Sequence, residues 1–211
     1  MKKVKLNTLE KDILIETASI CSGNISTVLS NLIGKQVDLK VSETDILPVE
    51  IIPQLIAKGE KLVIAPNQMI VEIYANLTGD FEGNILTMFP KDNTFKLLDM
   101  INKKKIGTTK LLEEKELLVL KGLGDTILSI YTKQISDFLG IKIKSGQSRV
   151  ITTFGANLMD FALAGVHESY DNVMLLRTDF STMDEVRGSF IVIFALESID
   201  DFLKIIRKKT S

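Results

Sequence analysis

The chain has 211 residues, 45% of them hydrophobic, and its 26 lysines and arginines nearly balance its 27 aspartates and glutamates, for a net charge of −1. This balance gives no electrostatic footprint for nucleic acid or an anionic membrane, and no apolar run reaches the roughly 18–20 residues that span a bilayer. The single cysteine, Cys21, excludes an internal disulfide, so we expect a cytoplasmic globular protein that neither inserts into a membrane nor binds nucleic acid.

The first half of the chain predicts a long helix followed by a hairpin. Asn7 can cap the helix, with Glu10 completing a capping box, and Gly34 ends it. Apolar residues at helical spacing form a core-facing stripe: Leu14, Ala18, Cys21, Ile25, Val28, Leu29 and Leu32. The later elements are a short strand at 37–41, a short helix at 48–56, hairpin strands at 69–77 and 84–89, and a closing helix at 92–101.

The second half repeats this order after a polar connector at 102–110. Its predicted elements are a long helix at 114–139, a strand at 141–144, a short helix at 156–163, hairpin strands at 173–179 and 190–195, and a closing helix at 199–208. Gly122 and Gly124 fall inside the long helix, where glycine is costly unless another element packs against the backbone.

Two pairs of similar segments indicate a duplicated layout. "SNLIGKQV" at 30–37 returns as "SDFLGIKI" 106 residues later, and "GNILTMFP" at 83–90 returns as "GSFIVIFA" 105 residues later. A shared offset of this length predicts a single domain over 1–211 with two pseudo-symmetric halves, at about 1–105 and 113–211. The predicted fold class is α/β, with the halves joined in one continuous mixed or antiparallel sheet covered by helices.

Few residues offer the usual catalytic chemistry. His167 is the only histidine, so multi-histidine metal sites are excluded and a histidine-based triad could draw on this one residue only. Neither a GxxxxGKS/T nor a GxGxxG motif occurs. Cys21 falls on the apolar stripe, which favours a packing role over a nucleophilic one. We therefore predict no metal site in this chain.

One polar pattern on the first helix is more informative. Asp12, Glu16 and Ser19 lie at i, i+4 and i+7 and share a face distinct from the apolar stripe. Composition alone favours an ordinary solvated face over a binding site. Asn24 lies nearby in sequence but falls off this face unless the helix kinks at residues 22–23.

The sequence resembles a known family. "DILIETASICSGNISTVLSNLIGKQVDLKV", followed by "DILPVEIIPQLI", resembles the opening of CheC proteins, and "ILSIYTKQISDFLGIKI" resembles their second long helix. CheC belongs to the CheC/CheX/FliY group of phosphatases that act on the phosphorylated chemotaxis response regulator CheY. The resemblance covers nearly the whole chain and implies a CheC-like fold and a place in two-component chemotaxis signalling.

The family's motif is Asp or Ser, then Glu four residues later, Asn three after that, and Pro after a gap of 22 residues. In the first half Asp12 and Glu16 match, whereas Ser19 stands in place of the Asn and Ser42 in place of the Pro. In the second half all four positions depart from the motif: Leu118, Gly122, Asp125 and Ser148.

The resemblance also implies roles for these residues. In the family the Asn holds the attacking water and the Glu pairs with the receiver's active-site lysine. Carried over, Glu16 and Ser19 are the candidate catalytic residues, and Asp12 and Glu16 the receiver-binding ones. The second site, with Gly122 and Asp125, is degenerate and expected to be inactive. This chain is expected to bind no cofactor, since the Mg²⁺ belongs to the receiver.

Two functions are compatible with this resemblance. The first is a hydrolase that dephosphorylates a CheY-type receiver weakly, from the first-half site only. The second is a non-catalytic CheC-like adaptor that binds a receiver domain or the receptor deamidase CheD. Retained Glu16 favours the phosphatase, and the missing Asn and Pro in both halves favour the adaptor. A flagellar-switch component is a more remote third reading.

Overall fold

The chain folds into a central sheet with helices on both faces, in a computed structural model that describes residues 6–57, 64–158, 160, 163, 171–196 and 199–208. The helices are α1 (Thr8–Ile33), α2 (Ile52–Ala57), α3 (Lys91–Ile101), α4 (Glu114–Leu139) and α5 (Ile199–Lys208). The strands are β1 (Val37–Pro48), β2 (Met69–Gly79), β3 (Gly83–Pro90), β4 (Ile143–Ser145), β5 (Arg149–Phe154), β6 (Asn172–Thr182) and β7 (Arg187–Ala195).

The described strands form one antiparallel sheet in the order β1-β6-β7-β3-β2-β4, with β5 also paired to β2. β1 of the first half pairs with β6 of the second, while β4 and β5 of the second half pair with β2 of the first. At the centre, β3 of the first half pairs with β7 of the second, so the halves share one continuous sheet, and the predicted α/β fold class is confirmed. From either edge of the sheet, the first strand of one half is followed by the hairpin of the other half. The duplicated origin of the halves stays a prediction.

Two apolar clusters lie on opposite faces of this sheet. α1, α3, α4 and α5 cover one face, where fully buried side chains such as Leu14 and Phe202 contact the strands. α2 covers the opposite face through Ile52 and Ile56, which are fully buried. Both faces of the sheet are thus apolar, which explains why β3 is buried along its whole length.

The two ends of α1 follow from its sequence. Asn7 Oδ1 accepts a hydrogen bond from the Glu10 amide at 2.9 Å, and Glu10 Oε2 accepts one from the Asn7 amide at 2.8 Å. The predicted capping box is therefore confirmed. Gly34 ends the helix with a φ of 69°, a left-handed conformation that costs glycine little.

The repeated "SxxxG" segments have one structural role in both halves. Ser30 Oγ accepts a hydrogen bond from the amide of Val37 at 3.0 Å, and Ser136 Oγ accepts one from the amide of Ile143 at 3.4 Å. Each serine satisfies the amide of a residue that opens the following strand. The sequence similarity therefore reflects the same step from helix to strand.

Several predicted boundaries are wrong. β1 continues to Pro48, well beyond 37–41, because pairing with β6 holds the polar segment extended, with a bulge between Val41 and Glu43. The sequence prediction missed β5, although its Val, Ile, Thr and Phe residues favour a strand, and in the structure β5 pairs with the edge of β2. Leu32 is 40% exposed and does not belong to the buried stripe.

The short helix predicted at 156–163 is described only in part. It begins with a 3₁₀ turn at Gly155–Asn157, and residues 158 and 160 are helical. The remainder of that segment, and His167, lie outside the described residues.

α1 is long and apolar enough to cross a membrane by length and composition alone. Its apolar residues nevertheless contact the sheet, with Leu14, Ala18, Cys21 and Ile25 fully buried. The stripe that raises its hydropathy is therefore the inner face of a core helix.

Asp99, near the end of α3, holds the connector between the halves. Its carboxylate accepts hydrogen bonds from the amides of Gly107, Thr108 and Thr109 at 2.7, 2.9 and 2.9 Å, and from the Thr109 hydroxyl at 2.6 Å. Burial opposes ionisation of Asp99, but these hydrogen bonds outweigh it and lower its pKa. The path from α3 towards α4 is thereby fixed.

Candidate functional site

The outer face of α1 carries the three residues singled out in the sequence. Asp12, Glu16 and Ser19 are all exposed, on the side of α1 that faces away from the sheet. Neither carboxylate makes an ion pair or hydrogen bond within the described parts of the chain. The face therefore presents two unpartnered carboxylates and a hydroxyl to solvent.

Ser19 has its only proton committed to its own helix. Its hydroxyl donates to the carbonyl oxygen of Ile15 at 2.7 Å, a common arrangement for serine inside a helix. The oxygen of Ser19 keeps its acceptor capacity toward solvent. In this rotamer the side chain can accept a hydrogen bond from a water, whereas an Asn carboxamide could also donate.

Beside Ser19 a groove of about 540 Å³ runs between α1 and β1. Residues of both elements line it: Ile15, Ser19, Ser22, Gly23, Ser26 and Val37, Asp38, Leu39, Lys40, Val41. Ser42, which takes the place of the motif's Pro, follows directly at the bulge in β1. Its Oγ is buried and has no hydrogen-bond partner among the described residues.

The corresponding face of α4 differs in chemistry. Leu118 is 63% exposed, and Gly122 and Asp125 are exposed beside it. Asp125 Oδ1 accepts a hydrogen bond from the Ser148 amide at 3.4 Å, and Ser148 Oγ donates to the carbonyl of Lys121 at 3.3 Å. The structure thus brings together Asp125 and Ser148, the residues at the motif's Asn and Pro positions in the second half. The inactivity of this second site stays a prediction.

The interior beneath α1 is inert. Burial raises the pKa of the Cys21 thiol to about 12, so Cys21 is a packing residue and not a thiolate nucleophile. Ser22 Oγ lies 3.2 Å from Thr178 Oγ1, which also accepts a hydrogen bond from the Tyr131 hydroxyl at 3.4 Å. This buried network joins α1 and α4 to β6 and fixes the rotation of α1.

Asn24 does not join the candidate site. α1 is continuous through residues 22–23, and Asn24 Nδ2 donates to the carbonyl of Ile20 at 3.2 Å. One of its amide protons is therefore bonded to its own helix.

Glu72 on β2 is a titratable group that the sequence motifs did not single out. Glu72 is fully buried, and neither carboxylate oxygen has a hydrogen-bond partner among the described residues. Burial, with a smaller contribution from the charge of Asp160, raises the pKa of Glu72 to about 8. The available signal was a charged residue inside the apolar run "MIVEIYA".

No cluster of three or more potential metal ligands occurs within the described ranges.

Known structures resemble this chain in fold, although no protein-family model matches it. FliY from Thermotoga maritima is 16% identical over 98% of this chain and 100% of its own, with a TM-score of 0.72. The FliM middle domain from H. pylori is 9% identical over 95% and 99%, with a TM-score of 0.61. A chain of the CheX–CheY–BeF3–Mg²⁺ complex from Borrelia burgdorferi is 13% identical over 86% and 96%, with a TM-score of 0.52.

These neighbours share the CheC-like fold of chemotaxis proteins, so the fold implied by the resemblance is confirmed. At identities of 9% to 16%, the likeness establishes the fold and leaves the activity to the site.

Proposed function

We propose that this chain is a cytoplasmic chemotaxis signalling protein of the CheC type, which dephosphorylates the aspartyl phosphate of a CheY-type receiver weakly and from the α1 face only. The single observation that carries the proposal is the exposed group of Asp12, Glu16 and Ser19 beside an open groove. A neighbour in fold was crystallised as a CheX–CheY complex, which supports a receiver as the kind of partner.

The proposed mechanism is one of positioning. Glu16 would pair with a lysine of the receiver and fix the docking register, an interaction that favours orientation and association rate. Ser19 Oγ would accept one hydrogen of a water molecule and aim its oxygen at the phosphorus. Attack by that water breaks the bond between phosphorus and the aspartyl oxygen, releasing inorganic phosphate. The Mg²⁺ that neutralises the phosphoryl oxygens belongs to the receiver.

Two features make the proposed activity weak. The Ser19 hydroxyl holds water from a shorter arm than a carboxamide, and a misplacement of about 1 Å can cost on the order of 10²-fold in rate. Its proton is also bonded to Ile15, so Ser19 offers the water an acceptor only. The α4 face would contribute nothing, since Gly122 supplies no carboxylate and an ionised Asp125 would repel a phosphoryl group.

The alternative is an adaptor that binds a receiver domain, or CheD, without hydrolysis. One observation favours it: both Ser19 and Ser42 depart from the motif, and Ser42 leaves a buried hydroxyl without a partner among the described residues. A protein under no demand for water positioning would tolerate both changes.

The decisive experiment follows phosphate release from receivers of the same genome after phosphorylation by a small phosphodonor. Release is measured with and without the chain, and binding of each BeF3-activated receiver is measured in parallel. Faster release that is lost in Glu16→Gln supports the phosphatase. Binding without faster release supports the adaptor, and the absence of both contradicts a receiver-directed function.

A further inference from the structure

The groove beside Ser19 has one wall made of an edge strand. β1 pairs only with β6, so its other side is not covered by a strand in the described sheet. Edge strands present main-chain donors and acceptors that can pair with another extended segment. The groove therefore combines open main chain on one wall with the serine-rich side of α1 on the other.

The direction of the main-chain groups along β1 can be read from Val37. Its amide donates to Ser30 Oγ at 3.0 Å and its carbonyl accepts from Ser26 Oγ at 2.5 Å, so both groups point away from β6 and toward α1. Main-chain direction alternates along a strand, so Leu39 and Val41 also point their amides and carbonyls away from β6.

At Leu39 and Val41, α1 no longer supplies partners for the outward main chain. Within the described ranges, no serine or other group bonds the outward main chain of these residues as Ser26 and Ser30 do at Val37. The bulge after Val41 then changes the direction of the strand. Leu39 and Val41 thus each present one amide and one carbonyl, without a described hydrogen-bond partner, along the groove that contains Ser19.

The floor of the groove is apolar, whereas its rim beside Asp12 and Glu16 is acidic. The side chains of Leu39 and Val41 pack against the core and give an apolar floor. The exposed Ile15 and the charged Asp38 and Lys40 also line the groove. Glu16 and Asp12 project from the adjacent turns of α1 and have no described cationic partner. A segment lying along the groove would therefore fit best with apolar residues inside and a lysine or arginine at the Glu16 end.

We propose that this groove takes an extended segment of the receiver, which pairs through its main chain with Leu39 and Val41 and places a cationic side chain against Glu16. This inference rests on the proposed function and adds a second docking contact to it. Main-chain pairing supplies affinity with little demand on sequence, and the Glu16 contact supplies register. Together they would hold the phosphoryl group beside Ser19.

Two glycines allow a matched test of the groove. Gly23 lines the groove, and a Cβ added there meets no described atom within 4 Å, so we expect Gly23→Leu to project into the groove and not into the core. Gly122 is an equally open, exposed glycine within α4, outside the groove. Both leucines raise helix propensity, so only the filling of the groove differs between Gly23→Leu and Gly122→Leu.

Binding of the BeF3-activated receiver is measured for the full chain and both variants. We expect Gly23→Leu to weaken binding by about tenfold or more while Gly122→Leu stays near the wild-type value. If both variants bind the receiver equally well, the receiver does not dock in the groove, but the proposed function still stands. If the wild type does not bind the receiver, both the docking proposal and the proposed function are wrong. Loss of self-association in Gly23→Leu, with receiver binding intact, assigns the groove to a second copy and overturns the receiver segment.

Amide hydrogen exchange supplies a second measurement that does not depend on substitution. Asp38 and Lys40 point their amides into the ladder with β6, so they are protected with or without the receiver. We expect the amides of Leu39 and Val41 to gain protection only in the complex. Unchanged exchange at Leu39 and Val41 in a saturated complex overturns main-chain pairing.

Discussion

Ser19 donates its hydroxyl proton to the carbonyl oxygen of Ile15 at 2.7 Å, so the hydroxyl at the candidate site acts toward solvent as an acceptor. Because this hydrogen bond holds the Ser19 side chain against its own helix, the side chain does not extend from the surface of α1 into solvent. A longer carboxamide at the same position would extend outward and carry two donors as well as an acceptor. This relationship underlies the first prediction.

Ser19→Asn should raise receiver dephosphorylation on the order of 10²-fold, because the carboxamide reaches the water that Ser19 holds poorly. The measurement is phosphate release at saturating chain concentration. Asp125→Asn on α4 is the matched control and should give no gain, since Gly122 supplies no carboxylate beside it. Unchanged hydrolysis by Ser19→Asn, with receiver binding intact, would contradict the water-positioning account.

Glu16→Gln should weaken binding of the activated receiver by about tenfold and reduce the dependence of association rate on salt, because one charge pair is lost. Stopped-flow association at two ionic strengths measures both effects. Glu114→Gln, an exposed glutamate in the first turn of α4, is the control and should change neither. A Glu16→Gln variant that binds like the wild type would remove Glu16 from the docking contact.

Glu72 should make the protein less stable as the pH rises. Its folded pKa of about 8 exceeds the ordinary value of 4.5, so between these values the folded state holds a proton that the unfolded state has lost. The free energy of unfolding therefore falls with rising pH across this window. Glu72→Gln should remove that slope and stabilise the protein at pH 7 by about 1–3 kcal/mol.

Urea unfolding at a series of pH values between 5 and 8.5, roughly the window in which Glu72 differs between the two states, measures this effect. Asp12→Asn, at an exposed carboxylate, is the control and should leave the slope unchanged. An identical slope in wild type and Glu72→Gln would mean that Glu72 has a partner in solution.

Gly122 and Gly124 should respond oppositely to alanine. A Cβ on Gly124 would lie 2.3 Å from Ile73 Cγ2 of β2, so Gly124→Ala must displace the Ile73 side chain or separate α4 from β2, and it should cost about 1–3 kcal/mol. A Cβ on Gly122 meets nothing within 4 Å, and Gly122→Ala should stabilise the protein by about 0.5–1 kcal/mol through helix propensity. Chemical unfolding of both variants measures the difference. Equal effects would contradict the close approach of α4 to β2.

Local sequence signals located most helices and hairpins because short-range interactions decide them. The capping box of Asn7 and Glu10, and the left-handed glycine at Gly34, act within a few residues of the chain. The exposed face of Asp12, Glu16 and Ser19 was also predictable, since helical spacing fixes which side chains lie together. Its catalytic role stays a prediction.

By itself, the sequence determined the long helices, the two hairpins and the residues that share the α1 face. The tertiary structure alone decided that β1 pairs with β6, that β5 forms against β2, and that a groove opens beside Ser19. Tertiary packing also buried Glu72 and the ion pair on β6 between Arg177 Nε and Asp179 Oδ1, which lie 3.0 Å apart. Helices and turns depend on neighbours in the chain, whereas strand pairing and burial depend on contacts between residues far apart in the sequence, which local spacing does not reveal.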